Sequence, residues 1–352
     1  MSPDSRIPVA VLGATGSVGQ RFVQLLEHHP WFRVAELVAS DRSAGKRYHE
    51  AADWRLGPVM PEATADLPVR DYDDALDSPV VFSALPGEVA GEIEQRMARE
   101  GRALFTNTST HRMDPDVPLL IPEVNPDHAA ALEVQRRNRG WSGFVVANPN
   151  CSAIHLVLAL KPLQQAFGLE AVAVTTMQAV SGAGYPGVPS LDMLDNVVPF
   201  IGSEEEKMEE ETKKLLGGFD GAFRPAELVM SAQCNRVPVR DGHTECVAVR
   251  LVEPAPPEEV VAAFEAFRGK PQELKLPSAP ERPVVVRREH NRPQPNLDRD
   301  AERGMASVVG RVRPCPLLGT KFVVLGHNTV RGAAGASILN AELFKVEGLL
   351  PV

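Results

Sequence analysis

None of the four cysteines, Cys151, Cys234, Cys246 and Cys315, stands in a CxxC pair or a regular framework. That argues against a disulfide scaffold or a cysteine-paired metal site, and for a reduced, cytoplasmic protein. No apolar run approaches the roughly 20 residues a spanning helix needs; the longest, such as 144–147 and 322–325, are strand-sized, so no membrane association is expected. The opening Met1-Ser-Pro-Asp-Ser-Arg6 has no basic stretch followed by an apolar one, the mark of a secretory leader. Dense Lys/Arg blocks are missing too, and 37 basic against 46 acidic residues give a net charge of −9. Nucleic-acid binding is therefore not expected. Neither internal repeats nor low-complexity blocks occur, and the 31 prolines are dispersed through loops. The chain of 352 residues is long enough for about two domains, each with its own core.

What is present begins with a short apolar run, Ile7–Leu12, ending in Gly13-Ala-Thr-Gly16-Ser-Val-Gly19. A helical pattern follows over 20–29, with Phe22, Leu25 and Leu26 on one face. Further buried strands are predicted at 34–39, 80–85, 103–106 and 144–147, with an amphipathic helix over 88–100 whose inner face carries Val89, Ile93 and Met97. Alternating strands and helices imply an α/β fold, a Rossmann-like doubly wound parallel sheet. After about residue 150 the pattern shifts. Helices are expected at 152–167, 203–216 and 257–268, and strands at 171–178, 244–252, 283–287, 307–312 and 322–325. Such strand-rich order predicts an α+β domain with a mixed or antiparallel sheet. A closing helix, 332–344, shows Ile338, Leu339 and Leu343 on one face.

Chemistry enters at two places. The glycine turn reads GxxGxxG where the common fingerprint is GxGxxG, but the physics is unchanged. Glycines let backbone approach a pyrophosphate, and the helix N-terminus offers free N–H groups and the positive end of its dipole. Gly13, Thr15, Gly16, Ser17 and Val18 are thus candidate dinucleotide contacts. After the second strand, Ser40-Asp41-Arg42-Ser43 presents a guanidinium between hydroxyls, suited to a ribose 2′-phosphate and so to NADP. Asp41 points the other way, toward the 2′-hydroxyl of NAD.

The second place is Asn148-Pro-Asn150-Cys151-Ser, where a buried strand ends and a helix begins. A cysteine in the first helical turn is expected to have a depressed pKa and to act as a nucleophile, whereas the other three cysteines read as structural. His243, in Asn235-Arg236-Val-Pro-Val-Arg240-Asp-Gly-His243-Thr-Glu, is a candidate partner.

Taken together, GATGSVG, SDRSAGK, NTSTHRM, NPNCS, MQAVSGAGYPG, GSEEEKMEEETKK, NRVPVRDGHTE and HNTVRGAAGASILN resemble, in order and nearly end to end, the aspartate-β-semialdehyde dehydrogenase family. The NPNC and IGSEEEK versions are similar to its archaeal and fungal branch. The resemblance implies Cys151 as nucleophile, His243 as general acid/base and Gln178 as the residue orienting the thiohemiacetal. It further implies Arg236 on the substrate carboxylate, Glu204 on its amino group, and Lys207, Arg112 and Asn150 around phosphate; Asn328, in the HNTVRG segment, joins the cofactor contacts. The remaining acids of 205–211 are expected to form a solvated helix face.

The reaction so implied is reversible, NADPH-dependent reductive dephosphorylation of L-4-aspartyl phosphate to L-aspartate 4-semialdehyde, with inorganic phosphate released, in biosynthesis of lysine, threonine, methionine and isoleucine. His243 is expected to give a proton to the oxyanion. The resemblance also implies a homo-oligomer, dimer or tetramer. Domains are expected at 1–150 plus 332–352 (NADP-binding, with the last helix packing back) and 151–331 (catalysis and oligomerisation). The rival readings are an acyl reductase on the same scaffold, such as malonyl-CoA reductase, and a non-catalytic NADP-binding sensor.

Overall fold

The computed structural model describes residues 5–352 and contains two six-stranded sheets. The first consists of β1 (Ile7–Leu12), β2 (Phe32–Val38), β3 (Val69–Arg70), β4 (Val80–Ser83), β5 (Ala103–Thr106) and β6 (Phe144–Ala147). Its order is β3-β2-β1-β4-β5-β6, and every pair is parallel. These strands are short apolar runs because helices cover both faces; β4, β5 and β6 are buried at every position. The order reverses at β1, so the loops after β1 and β4 part and leave a crevice at their carboxyl ends.

The Gly13 turn is built for that crossing. Gly13 has φ +72°, and a Cβ there would lie 2.4 Å from the Ala84 carbonyl oxygen. A Cβ on Gly19 would meet the Gly13 carbonyl oxygen at 2.1 Å, so two of the three motif glycines serve close packing of strand on helix. The helix that follows spans Ser17–Leu26, three residues earlier than its apolar face alone indicates.

The second sheet follows the Cys151–Phe167 helix and comprises β7 (Leu169–Gln178), β10 (Val229–Arg236), β11 (His243–Leu251), β12 (Val284–Arg287), β13 (Ser307–Cys315) and β14 (Gly319–Gly326). A two-stranded ribbon, β8 (Gly218–Phe219) with β9 (Phe223–Arg224), lies apart. The main sheet runs β10-β7-β11-β14-β13-β12 and is mixed: β7/β10 and β12/β13 are parallel, the other pairs antiparallel. β7 and β10 end, and β11 begins, at the same edge. Gln178 is thereby in register with Arg236, and Thr244, next to His243, with Met177.

Two expectations need correction. In the Gly87–Arg99 helix Met97 is buried and Ile93 packs on the core as expected, but Val89 is 40% exposed, and Ala90, Glu94 and Ala98 complete the inner face. Glu94 is tolerated there because the hydroxyls of Ser83 and Thr106 both donate to it at 2.6 Å. The closing segment is a π-helical turn, Val330–Ala334, followed by a helix, Gly335–Val346, buried on all sides through Phe344 rather than on one face. Phe344 packs its ring against Phe105 and Phe144 of the first sheet, at 5.4 and 5.5 Å between centroids. The Ala131–Arg139 helix and β10 went unread in the sequence. Among the described residues, no helix is long and apolar enough to cross a membrane.

Candidate active site

A cleft of about 810 Å³ opens where the loops after β1 and β4 part, and its floor is the start of the Cys151–Phe167 helix. Thr15, Gly16, Ser17, Val18, Arg112, Asn150, Cys151, Gln178, Glu204, Lys207, Arg236 and Asn328 line it. Thirty-odd lining residues thus come from segments spread over the whole chain. Gly13 lies beneath the turn, and Ser40, Arg42 and Ser43 form a separate turn after β2, outside the lining; the Ser43 amide donates to the Ser40 carbonyl at 2.8 Å.

Two helices point their first N–H groups at this space. Gly16 and Pro86, the residues that cap the Ser17–Leu26 and Gly87–Arg99 helices, have no capping side-chain hydrogen bond, and both line the cleft. Uncapped N-termini on a glycine turn suit the negatively charged pyrophosphate of a dinucleotide, so the residues present fit NADP. Asn328 is already engaged: its Oδ1 accepts from the Gly242 amide and its Nδ2 donates to Ser181 Oγ, both at 2.8 Å.

Cys151 Sγ lies 3.2 Å from His243 Nε2. Asn150 is the helix cap, its Oδ1 accepting from the amides of Ser152 (2.8 Å) and Ala153 (3.1 Å). Its Nδ2 donates to Glu204 Oε1 at 2.8 Å, so the asparagine expected near phosphate is occupied in placing the cysteine and Glu204. The thiol does not have the depressed pKa expected from its place at a helix start. Cys151 keeps some surface open to the cleft, yet burial pushes its thiol up to about 12, with Glu204 adding to the rise and Arg112 and Arg236 opposing it.

His243 is held well below its ordinary pKa by burial, and then by the neighbouring Arg236. The Ala179 amide donates to its Nδ1 at 3.0 Å. Nδ1 is therefore an acceptor, and the neutral ring carries its one proton on Nε2, facing the sulfur. The same Ala179 peptide accepts from Arg236 Nη1 at 2.8 Å, tying base and guanidinium to one short loop.

The Glu204–Leu216 helix keeps Glu205, Glu206 and Glu210 exposed, as expected for residues 205–211, but not all of its acids are free of the fold. Glu205 accepts from the Cys234 amide and Glu209 from the Ala232 amide, fastening the helix to β10. Glu211 and Lys214 are buried altogether. Sequence reasoning also passed over Asn107, Ser109, Asp53, Arg55 and Thr329 in the lining. At the mouth, the Arg55 guanidinium stacks 3.4 Å over the Tyr185 ring, joining the two halves of the rim. Asp53 and Arg55 had no flag in the sequence beyond residue type, whereas Asn107 and Ser109 stand in NTSTHRM and Thr329 in HNTVRG, beside residues the motifs did single out.

Comparison with known proteins agrees with this geometry. Residues 8–132 match the family described as "Semialdehyde dehydrogenase, NAD binding domain", and 160–331 match "Semialdehyde dehydrogenase, dimerisation domain". The aspartate-semialdehyde dehydrogenase of Archaeoglobus fulgidus is 53% identical over 98% of this chain and all of its own length. That of Methanothermobacter thermautotrophicus is 55% identical over 96% of this chain and 98% of its own. The crystal structure of the Candida albicans enzyme with NADP superposes with a TM-score of 0.90 at 44% identity, covering 98% of this chain and 100% of that one. A thiol at the floor of a dinucleotide-type cleft and the buried imidazole behind it, in a chain so similar over its full length to archaeal and fungal relatives, leave one conclusion: the chain belongs to the aspartate-semialdehyde dehydrogenase family.

Proposed function

We propose that this chain catalyses the family's reaction, reductive dephosphorylation of L-4-aspartyl phosphate to L-aspartate 4-semialdehyde, with Cys151 as its nucleophile. The observation that carries the reading is the 3.2 Å approach of Cys151 Sγ to His243 Nε2 at the foot of the cleft. Sulfur attacks the acyl carbon, the carbon–oxygen bond to phosphate breaks, and the departing phosphate takes the thiol proton, leaving a thioester. NADPH, when bound, supplies the hydride that reduces this thioester. His243 presents Nε2–H to the oxyanion that results and to the sulfur that leaves as the aldehyde forms. The sequence reading had His243 hand over a proton; a neutral ring with Nδ1 accepting from Ala179 supports a hydrogen-bond donor instead.

Arg236 can clamp the substrate carboxylate through parallel N–H bonds, and Glu204 can meet the amino group. Arg112 and Lys207 supply positive charge for phosphate. Gln178, which lines the cleft at the end of β7, would orient the thiohemiacetal, while the uncapped turn at Gly16–Val18 would hold the cofactor's pyrophosphate. The domain division at 1–150 plus 332–352 and 151–331 is supported by the packing of Phe344 on Phe105 and Phe144. A cytoplasmic homo-oligomer, dimer or tetramer, completes the reading.

The test is NADP⁺ reduction by purified protein with aspartate semialdehyde, with and without inorganic phosphate, beside NADPH oxidation with malonyl-CoA. Phosphate-dependent turnover is expected, lost almost wholly in Cys151→Ser. Turnover with malonyl-CoA alone would keep the thiol and overturn the substrate.

A further inference from the structure

The mechanism above leaves two buried charges on the Glu204–Leu216 helix, Glu211 and Lys214, without a task. Glu211 is 1% exposed. Its Oε1 accepts from Arg112 Nη1 at 2.9 Å, and its Oε2 accepts from the backbone amide of Asn150 at 2.6 Å. One carboxylate thus holds two loops that otherwise leave the first sheet independently, one after β5 and one after β6. The first carries the guanidinium assigned to phosphate; the second caps the helix that carries the thiol. One turn on, Lys214 fixes the same loop by its backbone, donating from Nζ to the carbonyls of Arg112 (2.7 Å), Asp114 (3.0 Å) and Val117 (3.0 Å). Arg112 Nη2 is spent on the Asn107 carbonyl at 2.8 Å. Its guanidinium is therefore pinned at both ends, and its charge is partly balanced before any anion arrives.

We infer that Glu211 is the positioning residue that sets the separation between the phosphate-binding Arg112 and the Cys151 nucleophile. The inference rests on the proposed role of Arg112. A reaction that runs both ways must bind phosphate firmly enough to use it as a nucleophile and loosely enough to release it. A guanidinium held by a buried carboxylate at one distance from the thiol presents phosphate with a preorganised partner, which is the requirement Glu211 serves. Glu211 touches neither substrate nor cofactor, and it acts through the two groups it holds.

The experiment is a cycle of Glu211→Gln, Arg112→Met and the double variant. Phosphate is varied at saturating aspartate semialdehyde and NADP⁺, and NADP affinity is measured separately by fluorescence. The glutamine cannot accept from both N–H groups, so the phosphate KM in Glu211→Gln rises about tenfold. kcat changes by less than about threefold and NADP affinity is unchanged. The double variant is no worse for phosphate than Arg112→Met alone. Glu211→Asp, one methylene short of spanning the pair, gives the same signature and serves should the glutamine variant not fold. A loss of kcat with unaltered phosphate KM, or effects that multiply in the double variant, would reduce Glu211 to a structural role. An unchanged phosphate KM in Arg112→Met would instead remove Arg112 from the phosphate site, and this inference with it.

Discussion

Gly332→Ala separates catalysis from folding. Gly332 lies in the π-helical turn before the last helix, with a backbone conformation open to any residue. A Cβ placed there would come within 2.9 Å of Cys151 Cβ, 3.2 Å of its Cα and 3.3 Å of its carbonyl oxygen. Carbon atoms pack best at roughly 3.5–4.0 Å, so the contact is too short by about 0.6–1 Å. Helix propensity favours alanine over glycine by about 1 kcal/mol, which offsets part of the strain in the folded state. The displacement falls on the nucleophile, whose helix is otherwise enclosed. An error of about 1 Å at a reacting atom costs on the order of 100-fold. The expected result is a kcat lowered roughly 10- to 100-fold, slower alkylation of Cys151 by iodoacetamide, and a melting temperature close to that of the unaltered protein. Gly57→Ala, where nothing lies within 4 Å of the new carbon, is the control. Turnover and alkylation both within twofold of the parent would show that the thiol's position is not set by this contact.

Three further outcomes follow from particular contacts. Arg331 and Glu123 form a fully buried bidentate pair at 3.0 and 2.6 Å, so Glu123→Gln should cost about 3–5 kcal/mol in urea unfolding; a midpoint unmoved would contradict the burial. Arg42→Ala should lower the NADP-over-NAD ratio of kcat/KM about tenfold, and an unaltered ratio would assign the 2′-phosphate to Ser40, Ser43 or backbone. Acid should destabilise the fold between about pH 6.5 and 4. His128, His243, His155 (lowered to about 3) and His327 (to about 4) resist protonation because they are buried, whereas the unfolded chain takes those protons up. Each contributes a slope of about 1.4 kcal/mol per pH unit; Glu94 and Glu245, raised by burial, act in the opposite sense and offset up to two of the four. A urea midpoint that climbs on acidification would overturn this balance.

The residues of the site were legible where chemistry and position coincide. An apolar run closing on Gly13 marks β1 and its turn, and Asn150-Cys151 marks the start of a helix, because caps and glycine turns are local. The partners of the buried charges were not legible. Glu211 shares a helix face with Met208 and Leu215, both buried, and that spacing was the available sign that the acidic run is not all solvated. β10 alternates buried Met230, Ala232 and Cys234 with polar Ser231, Gln233 and Asn235, a period-2 signal present in the sequence but weak because alanine and cysteine are small and no β-branched residue follows Val229. The height of the Cys151 thiol pKa depends on how closely remote segments enclose it, Glu204 among them, which no motif encodes.

The helix from Cys151 to Phe167 is buried at every position from Ser152 to Leu160, and it packs on the second sheet, against β7, β11, β13 and β14. Its amide protons have no local route to water, so in deuterated solvent they exchange with the slowest class in the molecule, through opening of the whole fold. The 185–200 segment, whose Tyr185 stands at the mouth of the cleft, is the reverse: Tyr185, Leu191, Leu194, Val197 and Phe200 are all exposed, with few regular hydrogen bonds between them. Protection from solvent is concentrated under the reacting sulfur, so the amides of the exposed segment are expected to exchange first and those beneath the thiol last.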